Sequence, residues 1–259
     1  MASKGLKGYF DYLKDKTFIN KYPASIITLD ELKNKSILEI GSGTFNDMIF
    51  LIQNKIISPE DIHMSEPYIP AFCESLDKIE QILGQGYGYK NRQRISFKEL
   101  PNSEIPDNCV NFFYANNVLH SLNYKSLEDE LDLNMLENGN KISQERIIQL
   151  QKTGKDKIKE VITEAFRILK PHGVLFGRNL TDYVNAELLN QLELKESKSK
   201  TDRFAIWTAK AVLNKELTGI NPLDFEYLGK RAGFKTTYTE EEPLDKNKPK
   251  INFHFRFEK

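Results

Sequence analysis

Short apolar segments alternate along the chain with segments whose apolar residues recur at helical spacing. Residues 36–41 form an apolar run that ends at glycine, which is typical of a central parallel strand buried on both faces. Segments 47–53, 71–83, 157–169 and 225–233 have the length or the three-to-four-residue apolar repeat of helices. The other segments with strand character are 62–65, 94–97, 109–115, 174–177, 234–238 and 251–257.

This alternation predicts an α/β fold with a doubly wound, seven-stranded and mostly parallel sheet, with helices on both faces. The last two strands have no helix between them and therefore form an antiparallel hairpin at one edge. We expect one domain over residues 1–259, with an N-terminal helical segment at 1–30. Two segments, near 121–156 and 179–222, are longer than the alternation needs and are interpreted as helical insertions that serve as lids or linkers.

Composition limits the partners and the compartment. The 37 basic and 37 acidic side chains cancel, so no overall field draws the protein to nucleic acid or to an anionic membrane. No apolar run approaches the ~20 residues that span a bilayer, and residues 1–17 do not read as a secretory signal, so we expect a cytoplasmic protein. Cys73 and Cys109 lie far apart, and no His has a metal-ligand spacing, so neither a disulfide framework nor a metal site is predicted.

A glycine turn follows the first predicted strand. Gly41 and Gly43 lie where an open α/β sheet binds its ligand, and glycine suits a turn with unusual dihedral angles or a close approach of backbone to ligand. A tight turn without a ligand is the alternative. Glu66 ends the second strand, about 25 residues on, where an acid can accept both ribose hydroxyls of an adenosine. It could equally be an acid at a helix N-terminus, because Pro67 follows it.

Four segments carry a family resemblance. Ile37 to Thr44 resembles the first motif of the class I S-adenosylmethionine-dependent methyltransferases, of the type 11 or 25 kind, and Ser65-Glu66-Pro67 resembles the second. Residues 100–120 are similar to the fourth-strand region of that family, and residues 165–173 are similar to its RxLKPGG segment. The resemblance covers about residues 30–178 and 222–257 and implies a Rossmann-like fold that binds S-adenosyl-L-methionine.

The same resemblance implies the roles of the cofactor-binding residues. The turn after the first strand would surround the methionine part, Glu66 with Pro67 would hold the ribose, and Asn116 would lie beside the sulfonium. Residues Glu99 and Leu100 would border the adenine. The residues of the turn itself are Glu39, Gly41, Ser42 and Gly43.

Four positions depart from the family pattern. Phe45 stands where a third glycine is usual, so the start of the following helix is bulkier. Asn111 stands where an aspartate is common at the start of the fourth strand, and Glu99 matches only loosely the acid after the third strand. His172 replaces a glycine whose role is to stop a helix. These departures keep open a catalytically inactive, methyltransferase-like binding protein.

Methyl transfer needs alignment and exclusion of water more than a particular catalytic residue. A hydroxyl or carbon acceptor benefits from a general base, for which His120, just past the fourth strand, is the best-placed histidine; packing in a loop is its alternative. Asn117 and Arg178 also end strands near the predicted cleft, although Asn116-Asn117 could be a polar strand end and Arg178 a surface cation. Tyr183 and Trp207 could line an apolar acceptor pocket or pack a lid helix onto its own domain.

The function predicted from the sequence is methyl transfer from S-adenosyl-L-methionine to a small-molecule acceptor through an N-, O- or C-nucleophile. The neutral charge and the two long insertions favour a small molecule over nucleic acid. A nicotinamide-dependent Rossmann oxidoreductase is the second enzyme class, because a glycine turn and an acid also serve that cofactor. The terminal hairpin argues against it.

Overall fold

The structure is a computed structural model that describes part of the chain. The described residues are 23–41, 46–65, 95–96, 105–119, 144–196, 198, 200–213, 219–242 and 250–259, with 73, 77, 80–81, 84 and 122 as isolated positions. Of the predicted N-terminal segment 1–30, residues 1–22 lie outside the described residues.

Helices and strands alternate in the order that the sequence predicts. The described helices are α1 (Leu29–Leu32), α2 (Asn46–Gln53), α3 (Gln144–Ile168), α4 (Ala186–Leu194), α5 (Lys200–Leu213) and α6 (Pro222–Ala232), with a 3₁₀ turn at Pro59–Asp61. The described strands are β1 (Ile37–Ile40), β2 (Ile62–Ser65), β3 (Ile95–Ser96), β4 (Val110–Asn116), β5 (Leu169–Val184), β6 (Thr236–Glu241) and β7 (Lys250–Glu258).

The strands form one seven-stranded sheet in the order β3-β2-β1-β4-β5-β7-β6. Strand β1 pairs in parallel with β2 and with β4, and β2 pairs in parallel with β3. Strands β5, β7 and β6 are antiparallel neighbours, so the sheet is mixed. The α/β class and the antiparallel C-terminal strands are therefore as predicted.

The chain divides into two compact units. The first comprises the residues through Ala115, with Arg167–Phe176 and Glu258–Lys259. Its core is aliphatic and aromatic: all four residues of β1 are buried, and Met48 and Leu51 of α2 are fully buried in the same cluster. A four-residue strand with no exposed position is what a parallel strand covered on both faces requires, and this explains why three of its four residues are apolar.

The second unit comprises Asn116–Phe166 and Gly177–Phe257. Helix α6 packs on β7 through Phe225, whose ring lies 4.8–5.5 Å from the rings of Phe253, Phe255 and Phe257. Gly229 permits this close packing, because a Cβ there would lie 2.6 Å from the Phe257 ring. A separate cluster of Leu180, Val184, Leu189, Ala209, Ala211 and Val212 joins the end of β5 to α4 and α5.

The end of α6 shows why its C-terminus could be predicted. Gly233 adopts φ 109°, a left-handed conformation that glycine tolerates, and its N–H donates to the Lys230 carbonyl at 3.1 Å. The helix begins after Asn221, whose side chain accepts from the Leu223 N–H at 2.9 Å, with Pro222 in its first turn. Both ends thus carry the residues that helix ends favour.

The largest differences from the predicted boundaries are in α3 and β5. Helix α3 begins at Gln144 rather than Lys157, so the last part of the predicted insertion 121–156 is regular helix. Strand β5 runs over Leu169–Val184 and includes Pro171-His172-Gly173, which was expected to be a turn before a strand at 174–177. The helix nevertheless stops at Ile168, before the proline, and His172 has φ 63°. A left-handed residue is thus needed where the family pattern has glycine.

Candidate functional site

The carboxyl ends of β1, β2 and β4 meet at the same level of the sheet. Ile40 at the end of β1 is aligned with Ser65 on β2 and with Ala115 on β4. Gly41 follows with φ 57°, in the left-handed region, and its N–H donates to the Ser65 carbonyl at 2.8 Å. The chain therefore turns at Gly41 as it leaves the sheet, which is where parallel α/β sheets bind ligands.

Glu39 is a buried acid within β1, with 5% of its surface exposed. It is aligned with Met64 on β2 and with Tyr114 on β4, in the parallel register of the sheet. Burial of a carboxylate is costly unless hydrogen bonds or opposite charges compensate it. An acid at this position, two residues before the turn at Gly41, is what the family resemblance requires.

A second buried acid, Asp47, lies in the first turn of α2 and was not predicted as a site residue. It is 6% exposed, and the hydroxyl of fully buried Tyr114 donates to its Oδ2 at 2.7 Å. The Tyr114 ring is itself stacked on Phe176, with 5.0 Å between ring centroids. The sequence signal was an aspartate inside an otherwise apolar stretch that follows the glycine turn.

In the second unit, the end of β4 is polar. Asn116 is half-buried, and Asn117 is exposed with φ 53°. The Asn117 N–H donates to the carbonyl of Arg178 at 2.8 Å, so the two predicted site residues are neighbours across β4 and β5. The left-handed turn at Asn117 agrees with the alternative of a strand end that makes its own turn.

Arg178 belongs to a charged network that the sequence did not predict. Its Nε and Nη2 bind the two carboxylate oxygens of Glu242, the Nη2–Oε2 distance being 2.6 Å. Asn252 Nδ2 donates to Glu242 at 3.2 Å, and His254 Nε2 lies 3.1 Å from Oε1. Arg178 is therefore held by a bidentate ion pair rather than being an isolated surface cation.

The electrostatics of Glu242 follow from these contacts. Burial alone raises the pKa of the Glu242 carboxyl. The hydrogen bonds that the carboxylate accepts and the positive charge of Arg178 outweigh burial, and they lower this pKa from 4.5 to about 2. The contributors are His254, then Arg178, then Asn252. Glu242 is thus an anion across the whole physiological range, and it neutralises Arg178.

Of the two predicted aromatic residues of the acceptor site, the structure describes the side chain of Tyr183. Tyr183 lies near the end of β5 with 56% of its surface exposed, and its N–H donates to Thr181 Oγ1 at 3.3 Å. Trp207 lies on α5, and its side chain is outside the described part of the structure. The pocket assigned to these two residues stays a prediction.

Seven predicted site residues, and Phe45 of the departures from the family pattern, lie outside the described residues. They are Ser42, Gly43, Phe45, Glu66, Pro67, Glu99, Leu100 and His120.

Asn111, the departure at the start of β4, has a structural role at the opposite end of β1 and β4. Its Oδ1 accepts from the Ser36 Oγ at 2.9 Å and from the Ser36 N–H at 3.2 Å, and Lys170 Nζ lies 3.4 Å from the same oxygen. These contacts join the residue before β1 to the start of β4. The substitution of the family's aspartate therefore does not alter the end of β1 that carries Gly41.

Two negative findings apply to the described residues alone. Within them, no group of three or more His, Cys, Asp or Glu side chains could hold a metal ion. No helix in the same part of the chain is long and apolar enough to cross a membrane.

The fold is that of S-adenosylmethionine-dependent methyltransferases, which are numerous among the solved structures that this chain resembles. A methyltransferase of this class from Methanosarcina mazei is 13% identical, with a TM-score of 0.51, over 92% of this chain and 97% of that chain. Phosphoethanolamine N-methyltransferase 2 from Haemonchus contortus, solved with phosphomonomethylethanolamine and S-adenosylhomocysteine, is 10% identical, also with a TM-score of 0.51. The match covers 87% of this chain and 48% of that one. No family model matches the sequence, and no curated protein matches it.

Proposed function

We propose that this protein transfers a methyl group from S-adenosyl-L-methionine to a small-molecule acceptor. The observation that carries the proposal is the left-handed turn at Gly41, between buried Glu39 and the buried acid Asp47 of α2, in a chain with the methyltransferase fold. The cofactor supplies an activated methyl group on a positively charged sulfur. The protein supplies binding, alignment and exclusion of water.

The charges of the described residues fit this cofactor. Glu39 and Asp47 are acids with 5% and 6% exposure in β1 and in the first turn of α2. S-adenosyl-L-methionine carries a sulfonium and an ammonium group, which buried carboxylates attract. A nicotinamide dinucleotide instead places its pyrophosphate at the N-terminus of the helix after the glycine turn, where the carboxylate of Asp47 would repel it. The same two acids thus weigh against the oxidoreductase alternative.

The remaining cofactor-binding roles rest on the family resemblance, and the acceptor roles rest on the positions of the residues at strand ends and in the insertions. Within the proposal, Glu66 and Pro67 hold the ribose, Glu99 and Leu100 border the adenine, and Ser42 with Gly43 completes the turn around the methionine part. Asn116 lies beside the sulfonium. His120 acts as general base if the acceptor is a hydroxyl or a carbon acid. Asn117, Arg178, Tyr183 and Trp207 contact the acceptor.

Calorimetric titration of the full chain tests the cofactor assignment. We expect binding of S-adenosylmethionine and of S-adenosylhomocysteine in the micromolar range, and no heat with NAD. Glu66→Ala should abolish this binding, whereas Glu196→Ala, which removes an exposed acid at the end of α4, should leave it unchanged. NAD binding without a response to S-adenosylmethionine would decide for the oxidoreductase. A folded protein that binds neither compound would establish the inactive, methyltransferase-like alternative.

The acceptor is identified by incubating the protein and S-adenosylmethionine with pooled metabolites and searching by mass spectrometry for gains of one methyl group. A positive result is a mass gain that depends on both the protein and the cofactor and that disappears with Glu66→Ala. Binding of the cofactor without any methylated product in pools of differing chemistry would leave the cofactor assignment intact and contradict the small-molecule acceptor.

A further inference from the structure

Strand β6 is the last strand of the sheet among the described residues, so one of its sides faces away from β7. The Glu242 N–H, directly after β6, donates to the Asn252 carbonyl of β7 at 2.8 Å. In an antiparallel pair the N–H and C=O of one residue point to the same side, and successive residues alternate. The backbone groups of Lys235, Thr237, Thr239 and Glu241 therefore point to the outer edge.

One of these outer groups is capped by a side chain. Glu226 of α6 accepts from the Thr239 N–H at 3.1 Å and from the Thr239 hydroxyl at 2.7 Å, both at Oε1. This contact also confirms the alternation, because the Thr239 N–H is bound to a carboxylate and not to β7. Helix α6 lies over this part of the sheet, with Gly229 against Thr237 Cγ2. Glu226 thus protects the middle of the edge from pairing.

Apart from this contact, the residues of β6 favour pairing with another strand. Strand β6 has the sequence Thr-Thr-Tyr-Thr-Glu-Glu, with β-branched and aromatic residues and without proline or glycine. Native edge strands are usually protected by proline, bulges or inward-pointing charge. Of these protective features, the described residues of β6 have only charged side chains at the two ends of the strand. These are Lys235, directly before β6, and Glu240 and Glu241, its last two residues.

The charges at the two ends suit a second copy of the same strand. If two β6 strands pair antiparallel about Tyr238, Lys235 of one copy lies opposite Glu241 of the other, and Thr237 lies opposite Thr239. All four residues present their backbone groups outward, so this register forms hydrogen-bonded pairs at both positions. Lys235 and Glu241 are exposed, and opposite charges directly across a strand pair are stabilising.

Helix α6 is compatible with this arrangement. It contacts both β6 and β7, through Thr237 and Phe257, so its axis lies over the space between these strands. With strands ~4.8 Å apart, the α6 helices of two edge-paired copies would be ~10 Å apart, which is the ordinary distance of packed helices. On its outer surface α6 exposes Leu223 and Tyr227, at 74% and 58%. These are the apolar side chains that such packing would cover in part.

We propose that the outer edge of β6 is a self-pairing surface for a second copy of this chain, and that Glu226 closes it by holding the N–H of Thr239. In this proposal the closed form is the monomer. Removal of the Glu226 oxygen frees the Thr239 N–H for the Thr237 carbonyl of the second copy. The proposal does not depend on the methyltransferase function.

Sedimentation velocity of the full chain over a concentration series tests the proposal with a matched pair of variants. Glu226→Gln keeps an acceptor oxygen and should sediment as the wild type does. Glu226→Ala lacks it and should dimerise at least tenfold more tightly, the change expected when one hydrogen bond to a charged acceptor no longer competes. Asp224→Ala, an exposed acid of the same helix, is the control and should leave self-association unchanged.

Charge reversal identifies the surface. Added to Glu226→Ala, the substitution Lys235→Glu should weaken the dimer, and adding Glu241→Lys as well should restore it. A Glu226→Ala protein as monomeric as the wild type, or a dimer insensitive to both reversals, would overturn the proposal. If Glu226→Ala does not fold, the same reversals are made in the wild type at high concentration. The weak self-association of the wild type should decrease with Lys235→Glu and return when Glu241→Lys is added. Any other result would overturn the assignment of the β6 edge as the self-pairing surface.

Discussion

Replacement of Glu242 by glutamine gives the sharpest test of the electrostatics of the second unit. The carboxylate accepts from Arg178, Asn252 and His254, and 21% of its side chain is exposed. Glutamine keeps the size of the side chain but removes its charge. It also offers an NH₂ group where the Arg178 guanidinium needs an acceptor. The variant therefore separates the contribution of the charge from that of packing.

The magnitude follows from the pKa of Glu242. A fall from 4.5 to about 2 is a difference of about 2.5, and each pH unit corresponds to about 1.36 kcal/mol, which gives about 3.4 kcal/mol. Solvent screens a carboxylate that is one-fifth exposed, so we discount this to about 2 kcal/mol. Because the pKa is lowered in the folded state, this stability is present above pH 4.5 and is lost as the pH falls from 4.5 towards 2.

The assay is urea denaturation of the wild type, Glu242→Gln and Glu241→Gln between pH 3 and pH 7. We expect Glu242→Gln to lose about 2 kcal/mol of unfolding free energy at pH 7, and the difference from the wild type to shrink below pH 4.5. Glu241 is an exposed neighbour, and its variant should match the wild type throughout. A difference of the same size at pH 3 and at pH 7, or an equal loss in Glu241→Gln, would refute the electrostatic account of the network.

Three further predictions concern single residues. Gly229→Ala should lower the unfolding free energy by about 1–3 kcal/mol in urea denaturation, because its Cβ would lie 2.6 Å from an aromatic ring of β7; an unchanged midpoint would contradict the packing. Tyr114→Phe should lose about 1.5–3 kcal/mol in the same assay, since it leaves buried Asp47 without the phenol hydroxyl, and a neutral effect would count against that bond. His172→Gly should raise the thermal unfolding midpoint, by the equivalent of up to about 1 kcal/mol, because glycine adopts the left-handed φ of 63° without steric strain. A lower midpoint would show that the histidine side chain stabilises the fold by more than the strain costs.

The central strands β1, β2 and β4 could be predicted from the sequence because most of their positions are buried. Strand β1 was expected at residues 36–41 and lies at Ile37–Ile40, and β2 was expected at its observed bounds, Ile62–Ser65. The first half of α3 was predicted only as part of the helical insertion at 121–156 and not as continuous with the helix at 157–169, for a physical reason. Residues 144–157 are mostly Gln, Lys, Asp and Glu with few apolar positions, so the helical repeat that marks residues 157–168 is absent there.

The contacts of the candidate site could be predicted only in part. Gly41 and Glu39 belong to one local pattern, and a local pattern is visible in a sequence. The bond between Asp47 and Tyr114 joins residues 67 positions apart, and the ion pair of Arg178 with Glu242 joins residues 64 apart. The residue types alone do not select these partners. The register of β4 with β1 decides that Tyr114 meets Asp47, and the position where β6 ends decides that Glu242 meets Arg178.

The Glu242 ion pair changes what Arg178 can contribute to acceptor binding. An isolated arginine at a strand end would attract an acceptor with a carboxylate or a phosphate, but Glu242 already accepts a hydrogen bond from Nη2 of Arg178 and neutralises its charge through the ion pair at Nε. An anionic acceptor would have to compete with a carboxylate whose pKa of about 2 keeps it charged. If Arg178 contacts the acceptor, as proposed, it does so through its remaining N–H donors, as a fixed hydrogen-bonding group. Acceptor preference should then depend on hydrogen-bond geometry rather than on the net charge of the acceptor.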